Sequence, residues 1–120
     1  MQRTAGRGKT VVDYELNELK REFLDEALEK VEEMETAAAA VSERQSLDRL
    51  AYLAHQLKGS GGSYGYQRIS TDAAELEKVV ESLTDGEGEA NRAETEKIRQ
   101  CVVNLRTEID RALKELSVSA

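Results

Sequence analysis

Apolar residues recur along this chain in four stripes of helical spacing, separated by short polar breaks. The first comprises Leu16, Leu19, Phe23, Ala27, Val31 and Met34. It follows Asp13, a residue type suited to capping a helix, and predicts a helix that runs into the alanines at 37–40 and stops near 42–46. The second stripe, Leu47, Leu50, Leu53, Leu57, Gly61 and Tyr64, predicts a helix that Gly65 ends. A third follows at Ile69, Ala73, Leu76, Val79, Val80 and Leu83, with a stop and a loop at 84–88. The fourth runs through Ile98, Cys101, Val102, Leu105, Ile109, Ala112, Leu113 and Leu116. Each apolar face can be buried only against the others, and the connections are short. The pattern therefore predicts an all-α protein, an antiparallel up-down four-helix bundle over residues 13–120. Residues 1–12 mix Gly, Arg, Thr and Lys without periodicity and read as a flexible N-terminal arm.

Composition strengthens this reading. Proline is absent, aromatic residues make up 4% and charged residues 34%, so the chain is rich in helix formers and poor in strand formers. At 120 residues it is one domain that needs no disulfide or metal to hold a core, and its single cysteine, Cys101, cannot form an internal disulfide. A net charge of −7 argues against nucleic acid as a partner, because that binding depends on neutralising phosphates. No apolar run approaches the roughly 20 residues that span a bilayer, and no signal-peptide core follows the basic opening residues. A soluble, cytoplasmic protein without membrane insertion is expected.

Candidate chemistry centres on the only histidine, His55. At about 100° per residue, Ala51, Tyr52, Lys58, Gly59 and Gly62 fall within about 60° of His55, whereas Leu50, Leu53, Leu57, Ser60 and Tyr64 point away. The histidine thus lies on the solvent side of the second helix. Glycines inside a helix cost about 0.8–1 kcal/mol each relative to alanine, so their presence near His55 needs a reason. Gly59 and Gly62 would clear space for another protein to approach the ring, while Gly61 faces inward and would permit close helix packing. A frayed helix end is the alternative explanation. Histidine can act as a neutral nucleophile near physiological pH, and Lys58 would set a cation beside any anion carried on the ring.

The run His55-x-x-Lys58-Gly59-Ser60-x-x-x-Tyr64-Gly65 on the second helix of a bundle resembles the histidine-containing phosphotransfer (HPt) domain of two-component phosphorelays. Phe23-Leu24-Asp25-Glu26-Ala27 is similar to the family's first-helix pattern, and Leu76-Glu77 to its third-helix Leu-Glu pair. The resemblance implies that His55 is phosphorylated on Nε2 and exchanges the phosphoryl group with aspartates of response-regulator receiver domains, with Lys58 stabilising that group. It further implies that Glu77 can orient the ring through the other nitrogen, although a solvated helix carboxylate remains the alternative. Ala51, Tyr52, Gly59 and Gly62 would form the docking face.

The implied partners are receiver domains and a histidine or hybrid kinase. The chain would act as a monomeric phosphoryl carrier with no kinase activity of its own and no cofactor, Mg²⁺ being held by the receiver. Ala74 stands where chemotaxis kinases often carry a second histidine, which weakens that variant. The other readings are a phosphoacceptor domain cut from a larger kinase and a non-catalytic helical adaptor.

Weaker signals add little. The segment Gly6-Arg7-Gly8-Lys9-Thr10 looks like the end of a phosphate-binding loop, but Arg3 stands where that motif requires glycine. Cys101 reads as a small buried hydrophobe. Tyr52 and Tyr64 read as packing residues rather than catalytic acids, and His55 has no neighbouring His or Cys with which to hold a metal.

Overall fold

A computed structural model describes residues 11–85 and 92–119. Residues 1–10 of the expected arm at 1–12, with the glycine-lysine segment, and residues 86–88 of the expected stop and loop at 84–88 lie outside the described residues, while 84 and 85 are still helical. Four helices follow one another: α1 (Val11–Ala38), α2 (Arg44–Ser63), α3 (Gln67–Asp85) and α4 (Arg92–Ser119). Each packs on its chain neighbours, α4 closes back onto α1, and the diagonal pairs do not meet. This is the up-down bundle expected from the four stripes, and no strand occurs among the described residues.

The core is built from those stripes. Leu24, Met34, Leu50, Leu53, Leu76 and Ile98 are among the fully buried side chains, one set from each helix. Each buried aliphatic side chain contributes about 1.5–3 kcal/mol, so the four faces hold one another in place without a disulfide. Cys101 is buried among them as a free thiol, and burial pushes its pKa up.

The first stripe fails at its beginning. Leu16 and Leu19 are 44% and 47% exposed rather than buried. The Phe23 ring stacks on Tyr64 at 5.0 Å and on Tyr66 at 5.8 Å, both in the α2–α3 turn. The turns of α1 before Phe23 therefore pass beyond the end of α2 and α3, and their lateral contact is with α4, where Arg21 Nη2 donates to Ser117 Oγ at 2.9 Å. Asp13 also departs from expectation: it lies inside α1 instead of capping it, and Val11 and Val12 are helical rather than part of the arm. At the other end α1 stops at Ala38, so Ala39 and Ala40 belong to the turn.

The α2–α3 turn fixes the level of the site. Gly65 has φ +84°, the left-handed conformation that glycine adopts at no steric cost. Tyr66 N donates to Gly61 O at 2.8 Å and Gly65 N to Gly62 O at 3.1 Å, a Schellman closure that satisfies two terminal carbonyls of α2. The chain reverses within three residues, and α2 and α3 become the most closely packed pair.

Candidate functional site

The intimacy of α2 and α3 depends on Gly61. A Cβ there would lie 3.1 Å from Ser70 N and 3.3 Å from Ile69 Cγ2. The nearest neighbour is backbone, so a side chain here would have to push α2 and α3 apart by a few tenths of an ångström. Ser70 adds a bridge, its hydroxyl donating to Lys58 O at 2.8 Å. The other two glycines differ. A Cβ on Gly59 meets nothing within 4 Å, and one on Gly62 meets only Ser70 Oγ at 3.7 Å. Nothing in the fold requires glycine at either position; both are exposed and helical, Gly59 inside α2 and Gly62 in its last turn.

On this bare face stands His55, with its side chain 68% exposed. Glu77 rises from α3 to meet it, with Oε2 2.9 Å from His55 Nδ1 and Oε1 2.7 Å from Lys58 Nζ. The hydrogen bond from Lys58 and, after it, that from His55 hold the Glu77 carboxyl below the usual glutamate range, against the opposing effect of burial. The carboxyl is therefore ionised at neutral pH and can only accept hydrogen bonds. A hydrogen bond to this carboxylate places a proton on Nδ1, and in the neutral ring that arrangement leaves the lone pair on Nε2. No described residue bonds Nε2.

The structure thus brings His55, Lys58 and Glu77 together, across a gap of 22 positions between the histidine and the glutamate. It sets Tyr52, Gly59 and Gly62 exposed on the same side, with Ala51 half-buried. Ala74 is half-buried on α3. Tyr64, by contrast, packs inward on Phe23. Among the described residues no group of three or more His, Cys, Asp or Glu side chains could hold a metal ion. Among the described residues no helix is long and apolar enough to cross a membrane.

Against known families, the model of the Hpt domain matches residues 18–115, a span that contains α2, α3 and the whole His55 cluster. The chain belongs to the Hpt domain family. Membership gives it a phosphotransfer role in two-component signalling, in which Hpt domains interact with kinases and response regulators. No curated protein and no solved structure matches the chain significantly.

Some neighbours of the Hpt site were not legible in the sequence. Ser70 carries no signal beyond its small size near the start of α3. The clamp on Tyr52 is another such feature: Gln56 Nε2 donates to its hydroxyl at 2.8 Å, and Arg49 lies against its ring while paired with Glu33 of α1. The i,i+4 spacing of Tyr52 and Gln56 could have suggested the first contact. Arg49 and Tyr52 are i,i+3 neighbours on the same helix, whereas the Arg49–Glu33 pair crosses between helices and has no local spacing.

Proposed function

We propose that this Hpt domain is a phosphorelay intermediate in which His55 Nε2 takes a phosphoryl group from an aspartyl phosphate of a response-regulator receiver domain and passes it to another. The observation that carries this reading is the 2.9 Å contact of His55 Nδ1 with Glu77 Oε2, which leaves Nε2 unbonded on an exposed side chain beside the cleared positions Gly59 and Gly62. In the step, the Nε2 lone pair forms the N–P bond while the P–O bond to the aspartate breaks, and the carboxylate leaves with the bonding electrons. The phosphorylated ring is cationic, and the Glu77 carboxylate already at Nδ1 stabilises that charge. Lys58, three residues along the same helix, supplies an ammonium group to the incoming phosphoryl oxygens.

Such transfer is mainly positioning and charge stabilisation, so this domain needs no nucleotide site. Mg²⁺ would be contributed by the receiver. Gly59 and Gly62 let the receiver's backbone approach the ring, with Ala51 and Tyr52 at the border of the contact.

The test is incubation with receiver domains charged by acetyl phosphate. Wild-type protein should acquire acid-labile, base-stable phosphate, and His55→Gln should acquire none while keeping its helical circular dichroism. Binding of receivers without any labelling of wild type would show an adaptor instead.

A further inference from the structure

Beside the His55 face, between α1 and α2 near their connection, lies a groove of about 750 Å³, bordered by Glu33, Ala37, Ala40, Glu43, Arg49 and Tyr52. Tyr52 closes the end nearest His55, one helical turn away. It is 52% exposed, yet it is held from several directions. The Arg49 guanidinium lies 5.2 Å from the ring centroid, Arg49 is itself tied to both carboxylate oxygens of Glu33, and Gln56 donates to the hydroxyl. An aromatic side chain already fixed in place loses little entropy when a partner covers it, and such residues dominate binding energy at interfaces.

The far end of the groove has different chemistry. Glu43 is the N-cap residue of α2, but its side chain makes no capping hydrogen bond and no ion pair with the described residues. The other carboxylates bordering the groove are engaged, Glu33 by Arg49 and Asp48 by Arg44. The groove therefore offers a rigid aromatic, an alanine floor and one uncommitted carboxylate, in that order away from His55.

We infer that this groove selects among receivers. It fits a receiver domain that carries a lysine or arginine beside a small apolar patch, the patch seating on Tyr52 and the cation reaching Glu43. The inference rests on the receiver-exchange reading and names which receivers that site takes.

The test uses each receiver domain of the source organism, charged with acetyl phosphate, against wild type, Tyr52→Ala, Tyr52→Phe and Glu43→Lys. Receiver-driven phosphorylation is normalised to labelling of the same variant by phosphoramidate, which needs no docking. For the receivers that wild type prefers, Tyr52→Ala should raise KM about tenfold at unchanged maximal rate, and Tyr52→Phe should restore most of the loss. Glu43→Lys should raise KM about threefold at low salt and much less near 1 M salt, where charges are screened. KM values that stay at the wild-type level in both Tyr52→Ala and Glu43→Lys overturn the inference. So does a loss in Tyr52→Ala that phosphoramidate labelling shares, since Tyr52 would then act through the ring. If phosphoramidate labels His55 but no receiver exchanges with wild type, receiver exchange itself fails, and the inference with it.

Discussion

Glu77 and Glu108 occupy nearly the same kind of setting on neighbouring helices and do different things. Their side chains are 12% and 9% exposed, and each carboxylate is bracketed by two bases. Glu77 meets His55 and Lys58 of α2; Glu108 meets Arg68 of α3 at 3.6 Å and Arg111 one turn along its own helix. The arginines are permanently charged and have no lone pair to offer, so Glu108 can only tie α3 to α4. An imidazole has a second nitrogen. Binding Glu77 through Nδ1 frees that nitrogen for chemistry, and the glycines above it leave it approachable. A bracketed carboxylate is therefore no mark of a reactive site; the identity of the base and the clearance around it decide.

Exchanging the two sites should separate these roles. Glu77→Ala should slow phosphorylation of His55 by about ten- to a hundredfold, the cost of losing an outer partner that fixes an imidazole. Glu108→Ala should leave that rate alone and lower stability by only about 1 kcal/mol, because the Arg68 and Arg111 heads are exposed and regain water. Stopped-flow transfer and urea denaturation of the pair would show the crossover, and equal slowing in both variants would erase the distinction. Gly59→Glu should likewise stop receiver transfer in a folded protein, through bulk and through repulsion from the receiver's acidic metal site.

Smaller effects should distinguish the glycines on the two faces of α2. Gly61→Ala pushes a methyl against the Ser70 backbone and should destabilise by about 1–3 kcal/mol. Gly59→Ala enters open space and should stabilise by about 0.5–1 kcal/mol through helix propensity alone. Chemical denaturation of both proteins measures the difference, and the same sign for both would contradict the division between packing and access.

Smallest of all should be the pH responses, and they have opposite signs. The depressed carboxyl of Glu77 contributes stability that is present above the ordinary glutamate value of 4.5 and is lost as pH falls below it through the folded-state value. Asp72, on α3, is pushed up by burial and then by Glu108, with Arg68 opposing. Its charge costs stability above the folded-state value, and the cost disappears below the ordinary aspartate value of 3.8. Thermal melts should accordingly show Asp72→Asn slightly more stable than wild type at pH 7 and equal to it near pH 3, while Glu77→Gln is less stable at pH 7 and converges on wild type in acid.

Much of this molecule was legible because helical periodicity reports burial directly. Leu50, Leu53, Leu57 and Gly61 repeat at helical spacing and all lie inside. Periodicity cannot report how far a neighbouring helix extends, and so Leu16 and Leu19, in phase with Phe23, end up beyond the turn that would have covered them. Gly65 was readable as a terminator because few residues tolerate its φ. The solvent placement of His55, Lys58, Gly59 and Gly62 followed from angles on one helix. The proximity of Glu77 did not, since it depends on the register between α2 and α3, and only likeness to the family pointed to it. Ser70 and the Arg49–Glu33 tie depend on the same kind of interhelical register and had no such guide.

In the proposed relay Glu77 selects the ring nitrogen of His55 that carries phosphate. Nitrogen-15 and phosphorus-31 NMR of the histidine-labelled protein, before and after phosphoramidate treatment, tests it most directly. The free protein should show an Nδ1-protonated ring bonded to Glu77 and, after treatment, a single phosphohistidine with phosphorus coupled to Nε2. An Nε2-protonated ring in the free protein, or phosphorus on Nδ1, would contradict it.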